Sequence, residues 1–185
     1  MRQSNRDVEL GRFLSLVLRH KPSAAHIKLD ENGWADVDDL LAGCNRAGRR
    51  IDKETLERIV RDNSKQRYKF NEDRTRIRAN QGHSVAVDVE MEECAPPEFL
   101  YHGTASRSIE SICAEGIKKG SRQHVHLSRD TETAMQVGKR HGKPLLLRVS
   151  AAAMHRDGHK FWLSANGVWL CEHVPWPYVM QEERE

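Results

Sequence analysis

Apolar side chains recur along the first part of the chain with the period of helices. Leu10, Phe13, Leu14, Val17 and Leu18 sit at i, i+3, i+4, i+7 and i+8, the stripe of an amphipathic helix. Pro22 ends it and leaves Arg19 and His20 in its last turn. A second helix follows Asp36, with Val37, Leu40, Leu41 and Cys44 on one face, and Gly48 stops it. A third starts after Asp52, an N-cap residue, with Leu56, Ile59 and Val60 facing inward. Ile51 and Leu56 are spaced to form a hydrophobic staple around that cap. Residues 67–70 and 75–78 then alternate on either side of Asn71-Glu72-Asp73, as a half-buried hairpin does. Three helices followed by a hairpin is the layout of a winged helix-turn-helix.

The pattern changes after residue 98. Residues 99–102 read as a strand, with Gly103 and Thr104 turning out of it. Ser106 or Ser108 is placed to cap a helix carrying Ile109, Ile112 and Cys113, which Gly116 ends. Residues 124–128 alternate as a strand, 130–138 form a short helix, and 145–149 and 167–170 are buried strands. Several short strands with two clear helices predict an α+β lobe with a mixed or split sheet, not a doubly wound one. Trp162, Trp169, Phe161 and Trp176 read as its core. Between the two patterns lies HSVAVDVEMEECAPPE, an acidic stretch with Pro96-Pro97. The expected organisation is a lobe at 1–82, a linker at 83–98 and a second lobe at 99–185.

Charge follows the same partition. The 185 residues carry a net +3, but residues 1–82 hold 18 basic and 13 acidic side chains, and 83–99 hold five acids and no base. Between residues 46 and 78 there are 12 bases and 6 acids, the electrostatic footprint of a phosphate-backbone contact on the third helix and hairpin. Arginine outnumbers lysine 20 to 10, which suits forked, bidentate contacts to phosphate at discrete points. No apolar run approaches the ~20 residues of a membrane span, and the start has no apolar signal region. The four cysteines are far apart with no CxxC pair, as expected of reduced thiols in the cytoplasm. A small charged chain of this kind fits a monomer.

The common phosphate cradles GxxxxGK[ST] and GxGxxG are absent, as is the GxSxG nucleophile elbow. Arg19 and His20 suit a helix C-terminus electrostatically, and a histidine there can also exchange a proton near neutral pH. Arg67 opens the hairpin and Arg122 precedes the HVHLS strand. Together these four are expected to serve one phosphoryl group. His102-Gly103-Thr104 sits where a strand meets a glycine that leaves the backbone open to close approach. His124 and His126 share a strand face at metal-ligand spacing, but no Cys or acid stands beside them, so no metal is expected.

Eight blocks carry a family likeness: LSLVLRHKP (14–22), GWADVDDLL (33–41), KQRYKF (65–70), IRANQGHS (77–84), FLYHGTA (99–105), GSRQHVHLS (120–128), VGKRHGKP (137–144) and NGVWL (166–170). In order and spacing the chain resembles the NAD-dependent RNA 2′-phosphotransferases of the KptA type. The resemblance implies a winged-helix RNA lobe and an ADP-ribosyltransferase-fold lobe. It implies removal of an internal 2′-phosphate from tRNA-like RNA, with NAD⁺ consumed as co-substrate and no metal. It further implies a catalytic set of Arg19, His20, Arg67 and Arg122, with Arg140 the rival for the last position. NAD⁺ would be held by His102, Gly103, Thr104, His126 (or His124), Ser128 and Val168; protein-modifying relatives often carry glutamate at the Val168 position. Three other readings stay open: ADP-ribosylation of terminal nucleic-acid phosphates, a protein-directed ADP-ribosyltransferase, and a winged-helix regulator with a sensor lobe.

Overall fold

The computed structural model describes residues 5–182; the first four residues and the last three, which the expected lobes include, lie outside the described residues. The chain divides into two compact units, Met1–Glu90 and Met91–Glu185, and is of the mixed α+β class.

The first unit contains α1 (Asn5–Arg19), β1 (Ala35–Asp36), α2 (Val37–Arg46), α3 (Lys53–Arg61), β2 (Tyr68–Phe70) and β3 (Arg76–Ala79). The caps form as the sequence predicts: Asp36 accepts the Asp39 N–H at 3.0 Å, and Asp52 accepts the Thr55 N–H at 2.8 Å. Leu14, Val17, Leu18, Leu40, Leu56, Ile59 and Ile77 are buried in one core. Each such side chain stabilises the fold by about 1.5–3 kcal/mol. The hairpin is present, but it belongs to a three-stranded antiparallel sheet in the order β1–β3–β2, with Ala35 opposite Ile77 and Phe70 opposite Ile77 on the other side. Asp7 of α1 receives a two-pronged contact from Arg58 of α3 at 3.1 and 3.2 Å, which ties the two helices together.

The acidic stretch 83–98 is divided between the units. Ser84 and Val85 donate their N–H groups to the Arg19 carbonyl (2.9 and 3.4 Å), Asp88 donates to the Glu31 carbonyl, Val89 is buried, and Glu90 pairs with Arg78 at 3.1 Å. Glu93 bridges to Trp162 and pairs with Lys160, and Cys94 donates its N–H to the Phe161 carbonyl.

The second unit contains β4 (Leu100–Ala105), α4 (Ile109–Glu115), β5 (Ile117–Lys118), β6 (Val125–Leu127), α5 (Thr131–Gly138), β7 (Pro144–Val149), α6 (Ala151–Arg156), β8 (Trp162–Leu163), β9 (Trp169–Cys171), β10 (His173–Val174) and β11 (Val179–Gln181). Its antiparallel sheets run β11–β7–β4 and β6–β9–β8, with β10 and β5 as a separate pair. Tyr101 and Ser128 exchange both backbone hydrogen bonds at 2.8 Å, which stitches the first two sheets together. Leu100, Leu147, Val149, Met154 and Phe161 fill the core, with Trp169 buried among them and Trp176 packed partly against it.

One expectation is corrected here. The strand does not turn at Gly103 and Thr104 but runs on to Ala105, because β7 supplies register partners throughout, Leu146 for Gly103 and Leu145 for Thr104. Neither Ser106 nor Ser108 caps α4 through its side chain. Among the described residues no helix is long and apolar enough to cross a membrane.

Candidate functional site

In the first unit, Arg19 and His20 stand at the end of α1, where Leu16 accepts the N–H groups of both His20 and Lys21 (2.9 and 2.8 Å). That tight last turn leaves the Arg19 carbonyl to Ser84 and Val85. The Ser84 hydroxyl bonds His20 Nδ1 at 2.9 Å. Arg19 Nη2 reaches the Arg67 carbonyl at 3.4 Å. Tyr68, next to Arg67, fixes the start of β2 against α1: its hydroxyl donates to the Gly11 carbonyl at 2.6 Å and meets Ser15 Oγ at 2.5 Å. Burial pushes this phenol up, with the Ser15 bond and the charges of Arg19 and Arg67 opposing, so it stays neutral. The fold thus brings Arg19 and His20 at the helix end next to the main chain of Arg67 at the hairpin; guanidinium and imidazole groups are donors of the kind a phosphate dianion accepts.

The sequence reading assigns no role to the residues packed around this group. His83 is 1 % exposed, and neither ring nitrogen has a hydrogen-bond partner among the described residues. Burial, with Arg19, His20 and Arg78 nearby, pushes it down to about 4, so the ring is neutral at physiological pH. His83 falls in the IRANQGHS block, but the sequence reading gives it no role and takes the run from it onward as linker.

In the second unit, His102 Nδ1 lies 3.1 Å from the His126 carbonyl. A carbonyl only accepts, so Nδ1 carries the proton and Nε2 is left as an acceptor. Burial, then the charges of Arg122 and His141, hold this histidine below its ordinary value, against the raising effect of the carbonyl bond. Arg122 Nη1 donates to His126 Nδ1. Arginine only donates, so His126 carries its proton on Nε2. The Arg122 side chain is exposed as a whole, yet partial desolvation of its guanidinium and the charge of Arg140 lower its basicity. The two candidates for the fourth arginine therefore lie within each other's field.

The remaining predicted residues take less similar places. Ser128 is held by its backbone pair with Tyr101. Trp169 pairs with Leu127, and one further step of that register sets Val168 opposite Ser128; the Val168 backbone is fixed by the buried Ser164 hydroxyl at 3.0 Å. Thr104 is buried in β4. Gly103 opens the backbone to a helix: a Cβ there would lie 1.6 Å from the Ala134 carbonyl of α5, and one on Gly138 would lie 2.9 Å from the Thr104 carbonyl. His124 packs its ring on Trp162 at 5.1 Å.

The family model described as "RNA 2′-phosphotransferase, Tpt1 / KptA family" matches residues 5–173. A Fusobacterium nucleatum protein named "Probable RNA 2′-phosphotransferase" is 55 % identical over 174 residues, 94 % of this chain and 97 % of its own. A Flavobacterium johnsoniae protein of the same name is 54 % identical over 170 residues, covering 92 % and 93 %. One from Streptomyces coelicolor is 48 % identical over 177 residues, 96 % of each chain.

Proposed function

The chain belongs to the RNA 2′-phosphotransferase, Tpt1 / KptA family, and from that premise we propose that it removes an internal RNA 2′-phosphate by passing it to NAD⁺. In this reading a 2′-phosphate oxygen bonds to C1″ of the nicotinamide ribose as the C–N bond to nicotinamide breaks. The ribose 2″-hydroxyl then bonds to phosphorus as the P–O2′ bond breaks, and its proton ends on the RNA 2′-oxygen. The products are nicotinamide, ADP-ribose 1″,2″-cyclic phosphate and 2′-OH RNA, by way of RNA-2′-phospho-ADP-ribose. The observation that carries the reading is the grouping of Arg19, His20 and Arg67, with Arg19 Nη2 at the Arg67 carbonyl and His20 on Ser84.

The first unit, three helices on a small sheet, is read as a winged-helix RNA-binding unit. There Arg19, His20 and Arg67 bind and orient the 2′-phosphate. Fixed guanidinium charge suits this task, because phosphoryl transfer depends on positioning and electrostatic stabilisation. The second unit, with its stitched pair of sheets, is read as an ADP-ribosyltransferase-type lobe. Its donor set fits a dinucleotide: His102 Nε2 offers an acceptor to a ribose hydroxyl, and His126 Nε2–H and Ser128 offer donors. NAD⁺, when bound, supplies an electrophilic anomeric carbon with a good leaving group. Arg122 stabilises charge on the phosphoryl oxygens in the second step. Gly103 and Thr104 shape this region through the close seat of α5 on β4. The hydrophobic Val168 suits an acceptor that is already an anion and needs no carboxylate to activate it. In this reading the protein works in the cytoplasm, as a monomer.

Incubation with 2′-phosphorylated RNA and NAD⁺ labelled in the adenylate half tests the reading. Labelled ADP-ribose cyclic phosphate together with 2′-OH RNA is the expected outcome. Label retained on RNA ends instead would assign terminal-phosphate ADP-ribosylation, and label on protein would assign a protein-directed transferase.

A further inference from the structure

We propose that Asn63 and Asn80 are positioning residues for Arg67, a pair of buried amides that set the turn from which it projects. The proposal rests on the reading of Arg67 as a ligand of the RNA 2′-phosphate.

After α3 ends at Arg61 the chain reverses and enters β2 at Tyr68. Asn63, 8 % exposed, shapes that reversal. Its Oδ1 accepts the N–H groups of Lys65 and Arg67 (3.2 and 3.3 Å), and its own carbonyl accepts the Gln66 N–H at 2.8 Å. An asparagine side chain bonding backbone a few residues on is the standard device for building such a turn. Gln66 is thereby placed at φ +40°, in the left-handed region that side chains with a Cβ rarely adopt. Such a conformation persists only when its surroundings over-determine it.

Asn80, 7 % exposed at the far end of β3, supplies the second hold. Its Nδ2 donates to the Gln66 carbonyl at 2.5 Å, and its backbone N–H donates to the Arg67 carbonyl at 2.9 Å. The Arg67 carbonyl is also the group that Arg19 Nη2 approaches. The main chain of Arg67 is therefore held at its N–H by Asn63 and at its carbonyl by Asn80 and Arg19. Forked contacts of arginine with phosphate depend on angle as well as distance, so a fixed main chain translates into affinity for the dianion.

The two amides are not equivalent. Position 63 is used toward Lys65 and Arg67 as an acceptor only, which a carboxylate also provides. Position 80 is used toward Gln66 as a donor, which a carboxylate lacks. Binding of the full-length chain to two RNAs of one sequence, one 2′-phosphorylated and one with a 2′-OH, reads the difference. Asn63→Ala and Asn80→Ala are each expected to lower the preference for the phosphorylated RNA about tenfold, the size of a lost hydrogen-bonding arrangement. Asn63→Asp is expected to stay within about threefold of the parent, and Asn80→Asp to fall as Asn80→Ala does. In an Arg67→Ala background, Asn63→Ala is expected to cost nothing more. Losses that add in full to Arg67→Ala, or equal behaviour of Asn63→Asp and Asn80→Asp, would overturn the proposal and leave the phosphate reading intact. Full preference retained by Arg67→Ala itself would overturn both. If Asn63→Ala does not fold, the contrast between the two Asp variants decides alone.

Discussion

The two units hold their arginines by opposite means. In the first, Arg67 is gripped through its main chain by buried amides, and Tyr68 beside it is pinned to α1. In the second, Arg122 is exposed, and its guanidinium is held by the ring of His126. The histidines differ in the same sense. His20 meets a serine hydroxyl, which can donate or accept, so either form of the ring is served. His102 meets a carbonyl, which accepts only, and burial keeps the ring neutral. The first unit combines a rigid frame with an adaptable proton, whereas the second combines an adaptable arginine with a fixed proton. Under the proposed function, that division suits a unit that binds RNA phosphate and one that acts in the later transfer step.

The comparison breaks most visibly at the arginines. Arg67→Ala is expected to lower kcat/KM on 2′-phosphorylated RNA by about 10³-fold, whereas Arg122→Ala should slow the second step by about 10²–10³-fold, each losing a charge donor to the transition state. Gel analysis of labelled RNA separates the two: under the proposed function RNA-2′-phospho-ADP-ribose is expected to accumulate only in the Arg122 variant. Next in size is Gly103→Ala. Its Cβ would collide with the backbone of α5, so urea unfolding should show a loss of about 3 kcal/mol or more, confined in origin to the second unit.

The pH dependence of stability sharpens the contrast from the first unit. His83 is held down to about 4 in the folded chain, against an ordinary value near 6.5. Between those values the unfolded chain binds the proton and the folded one does not. Stability is therefore full above about pH 6.5 and falls by about 1.4 kcal/mol per pH unit as pH drops towards 4. His83→Gln should flatten that slope in denaturant titrations at several pH values. A smaller effect tests the hold on Arg122. Asn at position 126 keeps an acceptor near Nδ1, and Gln keeps one only near Nε2. His126→Gln should slow the second step about tenfold, and His126→Asn about threefold or less, in single-turnover measurements. The smallest expected change is a gain. Gly11 lies inside α1 with its nearest neighbour atom 3.9 Å from a built Cβ, so Gly11→Ala should stabilise the first unit by about 0.5–1 kcal/mol.

The helices of the first unit were legible because apolar period and cap chemistry agreed at Asp36 and Asp52. Two-residue strands such as β1 and β8 were not, because alternation needs more than two positions to appear. Gly103 misled for a physical reason: the same missing side chain serves a turn or a close helix contact, and only the fold chooses. Among 20 arginines, Arg19, Arg67 and Arg122 were legible, with His20, through their place at element ends and in the family blocks rather than through type alone. Their supports were not. Ser84 and Asn80 fall in the IRANQGHS block yet read as ordinary loop residues, because their partners lie far along the chain, as between His20 and Ser84; Asn63 reads as one because an asparagine two to four residues before its partners looks like any turn.

The division of residues 83–98 has a consequence for chain cleavage. A protease cut between residues 82 and 84 would sever Ser84 from the fold that delivers it to His20 and Arg19. A cut at Met91 or Glu92 would fall after the Arg78–Glu90 pair and before the Glu93–Lys160 pair, sparing both. Two fragments split there would each keep the hydrogen bonds described above for their own unit, and mixing them would ask whether the peptide link is needed at all.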